Sequence, residues 1–438
     1  MQKIRENCAG IDIGAKKIFV SVEGSSVKSF DTFTESFELA RDYLLSNGIE
    51  SVAMEATGVY WVILYDLLEA SGIEVWLVDG RQTRQVPGRK TDVKDCQWIQ
   101  ELFAHGLLNK CFVANDDLKK IRTYQRQRED HIRSASMHIN HMQKSLTQMN
   151  IRLKEVLSQL HGASGLNIIK AILLGEREPT KLLSLCHKSI IEKKADLVLK
   201  SLNGHYKEEH LFTLQQAYDA YYFYQDQIRS CDEKISAYFQ EKSKGKDIPK
   251  EKNRKPIRHN RPKVDNLGGY LKDLYSGKDA TKLPGITDYT WLQIYAEVGN
   301  DLSKWPTEKH FTSWLGLAPK QHQSGKMHKK RFKKHKPKAG LIFRQIAVSL
   351  IESKKIGIGT FGRKIRSRRS PMVAIKAVAR KLAVLFWRMM MKGMDYVDQG
   401  IEYYQIKMNE NKRKWVEKNA FELGLVVTDS QAITKYTS

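Results

Sequence analysis

Two aspartates, Asp92 and Asp95, stand three positions apart in the stretch KTDVKDCQWIQEL, just where a helical pattern begins. On a helix, positions i and i+3 share a face, so both carboxylates can aim at one point. Asp92 also suits an N-cap, and Asp95 a first turn in which the helix dipole favours an anion. Capping alone would account for the pair. Two more acids widen the choice. Asp12 lies between Ile11 and Ile13 inside an apolar strand pattern, and Glu55 ends another, SVAMEA. An acid in a strand is costly unless it has a partner. If the two strands are neighbours, both carboxylates reach one edge of the sheet. Four hard oxygen ligands converging from two strands and a helix would suit Mg²⁺ or Mn²⁺. Two such ions about 4 Å apart are the usual machinery of in-line phosphoryl displacement.

The elements that must place these acids read as an α/β unit over residues 1–115. GIDIGA and IFVSVEG are two strands joined by a tight turn at 14–17, and VKSFDTFT is a third. A helix follows near 35–47, then the SVAMEA strand, the helix VYWVILYDLLEAS, and a fifth strand in IEVWLVDG. A loop over 81–90, rich in Arg, Gln, Pro and Gly, leads to the helix that opens at Asp92. That order is a meander feeding crossover units, a mixed sheet covered by helices.

At 438 residues the chain has room for two or three domains. From Asp116 to about Leu160 there is no Pro and no Gly before 162, and apolar residues recur at helical spacing, so one long helix is expected. A second, aromatic-rich tract covers roughly 205–240. Together they suit an antiparallel coiled-coil hairpin within 116–244, able to dimerise. His131, His138 and His141 fall on the first of these helices, where a polar or RNA-facing role fits better than zinc. The stretch 245–277 begins basic and proline-interrupted, as a flexible linker or mobile arm would. A mainly helical, basic domain follows over 278–408, and a tail over 409–438 gives no signal. The fold class is therefore α/β plus α.

Charge is distributed unevenly. The formal net charge is +25, yet residues 1–115 hold 12 Lys/Arg against 16 Asp/Glu. Between 309 and 394 there are 23 Lys/Arg and one acid, Glu352. One concentrated basic region on a balanced protein is the footprint of a polyanion binder. No apolar run nears the ~18 residues of a membrane span, and the N-terminus lacks a signal-peptide core, so a cytoplasmic protein is expected. The five cysteines show no CxxC pair, which argues against a disulfide framework or a zinc ribbon.

Motifs that follow one another in order along the chain carry a resemblance. GIDIGAKKIFVSV, MEATGVYW and KTDVKD resemble the DEDD motif of the Piv/MooV-type transposases and invertases, the bridge-RNA-guided insertion-sequence recombinases. The likeness continues through KSLTQMNIRL, LPGITDYTWLQIYAEVGNDLSKWP, SWLGLAPKQHQSGK and VAIKAVARKLA. It implies a ribonuclease-H-like, RuvC-type N-terminal domain in which Asp12, Glu55, Asp92 and Asp95 bind metal. It also implies that Ser324, before Gly325 and Lys326, is the nucleophile that forms a covalent phosphoserine link to DNA. Without the resemblance, a serine–glycine pair reads as an ordinary turn. Cys96 stands where the family commonly has alanine, a small buried position.

Ser324 enters a run with eight basic residues among the thirteen of 326–338. Lys326, Lys329, Lys330, Arg331, Lys333 and Lys334 there, and Arg363, Lys364, Arg366, Arg368 and Arg369 further on, are expected to meet phosphates of double-stranded DNA or a structured guide RNA. KLPGITDYTWLQI resembles a helix-hairpin-helix, or else is an ordinary helical corner. The leading expectation is a DNA recombinase of an insertion sequence, working as a homodimer or homotetramer with a site shared between subunits. Alternatives are a metal-dependent junction nuclease without a covalent step, an actin-like or sugar-kinase phosphotransferase suggested by GIDIGAKK alone, and a non-catalytic RNA-binding protein.

Overall fold

The structure is a computed structural model that describes residues 3–83, 92–251, 254–257, 259–319, 323–324, 327–328, 337–353 and 357–426. The chain divides into two compact units, Met1–Asn115 and Asp116–Ser438.

The first unit holds a five-stranded sheet: β1 (Cys8–Ile13), β2 (Lys17–Val22), β3 (Lys28–Asp31), β4 (Ser51–Glu55) and β5 (Glu74–Val78). In space the order is β3-β2-β1-β4-β5. β1, β2 and β3 pair antiparallel, whereas β4 runs parallel to both β1 and β5. The mixed sheet follows from the connections. The tight turn between β1 and β2 returns the chain at once, while α1 (Thr34–Ser46) and α2 (Trp61–Ala70) are the crossovers that parallel strands need. A third helix, α3 (Asp92–Ala104), follows the sheet.

Alternation along the strands sorts their side chains between two layers. Ala9, Ile11 and Ile13 of β1, with Val52 and Met54 of β4, pack against Phe37, Ala40 and Leu44 of α1 and Leu64 and Leu68 of α2. The opposite set, Cys8 and Ala53 with Val78, packs against Ile99, Leu102 and Phe103 of α3. Asp12 and Glu55 have the parity of Cys8 and Ala53, so they belong to the α3 face.

The second unit is helical. It opens with α4 (Asp116–Gln148), α5 (Leu153–Val156), α6 (Ala163–Leu173), α7 (Pro179–Ser184), α8 (Lys188–Leu202) and α9 (Glu208–Lys242). The long helix expected to reach about Leu160 stops at Gln148, because Asn150 takes a left-handed backbone (φ +57°) and turns the chain. α4 and α9 are antiparallel: Lys120 near one end of α4 pairs with Glu241 at 3.1 Å, and Ser145 near the other meets Thr213 at 2.9 Å. Met142 and Leu146 of α4 and Leu214 of α9 join Ile168, Ile172 and Val198 in one core that closes this end.

Then come α10 (Leu267–Leu274), α11 (Asp288–Val298), α12 (Glu308–Trp314), the short strands β6 (Gln323–Ser324) and β7 (Met327–His328), α13 (Lys338–Glu352), α14 (Gly357–Arg368), α15 (Pro371–Lys392) and α16 (Asp395–Glu422). Phe311, Phe343 and Phe386, one each from α12, α13 and α15, form an aromatic centre with ring centroids 5.9–6.4 Å apart. Of the tail that gave no sequence signal, residues 409–422 belong to α16.

The stretch expected to be a flexible linker is tied down instead. Arg128 of α4 donates to the Asn260 carbonyl at 3.0 Å, and the Lys263 N–H donates to Asp232 of α9 at 3.1 Å. Arg254 binds Asp279 at 2.6 Å, and Lys255 donates to the Leu283 carbonyl at 2.7 Å. These cations neutralise acids and satisfy carbonyls across α4, α9 and the approach to α11. Among the described residues, no helix is long and apolar enough to cross a membrane.

Candidate metal centre and nucleic-acid elements

The parallel register of β1 and β4 ends at Ile11 opposite Met54, so Asp12 and Glu55 occupy the next rung, at the carboxyl ends of both strands. That end of an open α/β sheet is where ligands characteristically bind. α3 reaches it because of Gly10. A Cβ on Gly10 would lie 2.3 Å from the Gln100 nitrogen and 2.4 Å from the Cys96 carbonyl oxygen, both main-chain atoms of α3. Only glycine lets the helix backbone rest directly on the strand. The first turn of α3 then brings its acids to the strand end. Asp12, Asp92 and Asp95 each offer a carboxylate oxygen, and the three lie within 4.8 Å of one another. Oxygens bound to one octahedral Mg²⁺ at about 2.1 Å are roughly 3–4 Å apart, so a small rotation of these side chains would close the set. Asp12 and Asp95 are half-buried and Asp92 is exposed. The donor set is all hard carboxylate oxygen, which fits Mg²⁺ or Mn²⁺ rather than a thiophilic ion.

Glu55 does not join that group. Its Oε2 accepts a hydrogen bond from the Thr83 hydroxyl at 2.6 Å, and Oε1 lies against Gly80, where a Cβ would stand 2.3 Å away. The expected convergence of four carboxylates is thus three aspartates in a cluster, with Glu55 on the same face of the sheet and held by the chain that follows β5. Gly80 and Thr83 were not singled out from sequence. A threonine and a glycine in a turn after a strand carry no pattern that separates them from ordinary turn chemistry. Gly10 did have a signal, a glycine within a strand.

Cys96 is fully buried beneath the cluster, its thiol donating to the Val93 carbonyl at 3.1 Å. Burial, reinforced by the negative charges of Asp12 and Asp95, pushes its pKa up to about 12.

In the second unit, Ser324 lies in β6 and pairs with Met327 of β7, with Gln323 opposite His328. The ends of the segment that carries it are drawn together. A Cβ on Gly316 would be 3.3 Å from Pro337, a Cβ on Gly340 would be 2.0 Å from the Leu315 carbonyl oxygen, and Arg344 donates to the Gly316 carbonyl at 3.3 Å. Lys326, Lys329, Lys330, Arg331, Lys333 and Lys334 lie outside the described residues.

The second basic cluster divides by environment. Arg363 donates to the Ile351 and Ser353 carbonyls at 2.8 and 2.6 Å and to the Thr360 hydroxyl at 2.9 Å. It caps the C-terminal end of α13, which leaves its guanidinium committed inside the protein. Arg366 pairs with Glu352 at 2.6 Å. Lys364, Arg368 and Arg369 are exposed. In the LPGIT turn, Gly285 has φ +76°, and Thr287 and Thr290 form a reciprocal cap at the start of α11.

Comparison with known proteins agrees with this arrangement. Residues 9–151 match the family model of the DEDD transposases of the IS110 type, a range that includes all four expected acids. Residues 278–358, including Ser324, match the model of the transposase IS116/IS110/IS902 family. No curated protein matches the chain. The DEDD family implies divalent-metal use, and the aspartate cluster lies within the matched region. With both regions matched in the order that the family requires, the chain belongs to the IS110-type transposases, enzymes of insertion sequences that recombine DNA.

Proposed function

We propose that the chain excises and inserts a mobile element by serine attack on DNA, assisted by Mg²⁺ or Mn²⁺ at Asp12, Asp92 and Asp95. The convergence of these three aspartates at the carboxyl end of β1 is the observation that carries the reading. A divalent ion there would supply electrostatic stabilisation to the phosphate under attack. Glu55, now bonded to Thr83, would complete the donor set on giving up that hydrogen bond. Ser324 Oγ forms the new bond to phosphorus while the deoxyribose oxygen leaves with the electron pair, and the hydroxyl proton is released. Attack by a deoxyribose hydroxyl on the phosphoserine then reverses the step and rejoins DNA. Basic neighbours of Ser324 stabilise the pentavalent charge.

Sequence choice comes from a structured guide RNA, as the family resemblance implies, and phosphates of RNA and DNA are met by the exposed Lys364, Arg368 and Arg369 and by the basic run after Ser324. The functional assembly is a homodimer or homotetramer held by α4 and α9, in which acids and serine from different subunits complete one another. It acts in the cytoplasm, on the nucleoid.

A second reading, a junction nuclease without a covalent step, draws on the acids alone, since a carboxylate-held ion can also activate water. One experiment separates the two. Element-end DNA incubated with the protein, its guide RNA and Mn²⁺ is denatured and probed for protein-linked DNA. An adduct in the natural chain that is absent from both Ser324→Ala and Asp12→Asn supports serine attack. Cleavage that persists in Ser324→Ala with no adduct supports the nuclease instead.

A further inference from the structure

A cavity of about 450 Å³ opens among α4, α11 and α13 of the second unit. Its wall is rich in amides: Gln125 from α4, Gln293 from α11, Gln345 from α13, and Asn260 from the strap that crosses α4 and α9. Tyr289 and His259 add two flat rings. Its acids are already engaged. Glu129 accepts from Gln293 at 2.9 Å and lies 3.8 Å from the Lys338 ammonium, and Glu297 pairs with Arg126 at 2.7 Å. Gln125 differs from the rest. Only 2% of it is exposed, its amide nitrogen donates to Glu129 at 3.3 Å, and its Oε1 has no hydrogen-bond partner. A buried carbonyl oxygen left unpaired is costly, and a donor entering the cavity would relieve that cost.

Planar amides, rings that can stack and a waiting acceptor are the chemistry that reads nucleobase edges. Gln125 is set too deep among the helices for a base inside a duplex to reach it, so the base must be unpaired or swung out of its stack. Arg133 and Lys338 also line the cavity and supply cations for the phosphate that follows such a base. Lys338 is the first residue of α13, twelve positions beyond Lys326 and directly after the serine-bearing segment.

We propose that this cavity receives one unpaired nucleobase, with the Gln125 oxygen accepting an N–H from the base and Tyr289 or His259 lying against its face. A base seated there fixes the register of its strand beside the segment that carries Ser324. The inference rests on the nucleic-acid reading of the protein.

Full-length protein is photocrosslinked to DNA and, separately, to RNA containing a single unpaired 5-iodouracil. The crosslink is expected on Tyr289 or His259, and whichever nucleic acid gives it identifies the strand. Leu341→Trp fills the cavity from a residue that lines it and makes no polar contact there; it should lower crosslinking about tenfold while melting temperature and duplex affinity stay unchanged. If that variant is unstable, Gln345→Leu, an exposed change at the cavity wall, should lower it severalfold. Crosslinks that map elsewhere, or that survive both substitutions, overturn the cavity, and retained duplex binding then leaves the transposase reading standing. Failure to bind any nucleic acid overturns both.

Discussion

Gly10 has no side chain, and that allows the first turn of α3 to approach Asp12. An added methyl would meet the α3 backbone at 2.3–2.4 Å, which no side-chain rotation can relieve. Gly10→Ala should therefore shift the helix, separate Asp92 and Asp95 from Asp12, and weaken Mn²⁺ binding by about 10–100-fold, the scale seen when groups supporting a metal ligand are lost. Calorimetric titration with Mn²⁺ reads this directly, and an unchanged affinity would refute the positioning role. Overpacking of this kind costs about 1–3 kcal/mol, so a folded protein with a lowered melting temperature is expected. At this scale the sequence was informative about Asp12, because an acid breaks an apolar strand pattern, whereas Asp92 and Asp95 fit an ordinary helix start and stood out only in combination with Asp12 and Glu55. It was silent about Thr83. The hydrogen bond to Glu55 spans 28 positions and depends on the course of a turn, which periodicity does not encode.

Among the elements, α4 and α9 are joined by an ion pair that is nearly sealed from water. Arg128 and Asp232 are 1% and 2% exposed and 2.6 Å apart, and the same two groups hold the strap through Asn260 and Lys263. Removing one partner strands a buried charge. Asp232→Ala should destabilise the second unit by about 3–5 kcal/mol, whereas Arg128→Met combined with Asp232→Leu should cost far less. Urea unfolding of the three proteins tests this, and equal losses for the single and double variants would show that the pair does not act as a unit. The contacts of the strap were not legible in the sequence, for a physical reason. Its lysines, arginines and prolines look like a solvated tether one residue at a time, and the acids and carbonyls that hold them come from other elements, such as Asp232 and Asp279. The helices themselves were easier to read, since a repeating apolar face needs no distant partner to be visible. The end of α4 was not, because an asparagine adopting a left-handed backbone leaves no periodic trace.

Across the whole molecule, the excess positive charge belongs to the second unit, and exposure decides which cations can meet a polyanion. Lys364, Arg368 and Arg369 are exposed, while the Arg363 donors are bound to the end of α13. Replacing those three by glutamine should reduce the slope of log affinity for DNA against log salt by up to about 2.7, at roughly 0.9 per phosphate contact. Arg363→Gln should instead lower the melting temperature and leave the slope in place. Binding isotherms over a salt series distinguish the two, and equal slopes for the triple variant and the natural chain would remove these residues from the interface. Regional charge was plain in the sequence; which guanidiniums were already occupied required the fold. The closed neck at Leu315, Gly316 and Pro337 has a separate consequence. Extending a loop whose ends are already together adds only about 0.6 kcal/mol per doubling of its length. The segment that carries Ser324 can accordingly grow or shrink in evolution at little cost to the helices at its two ends.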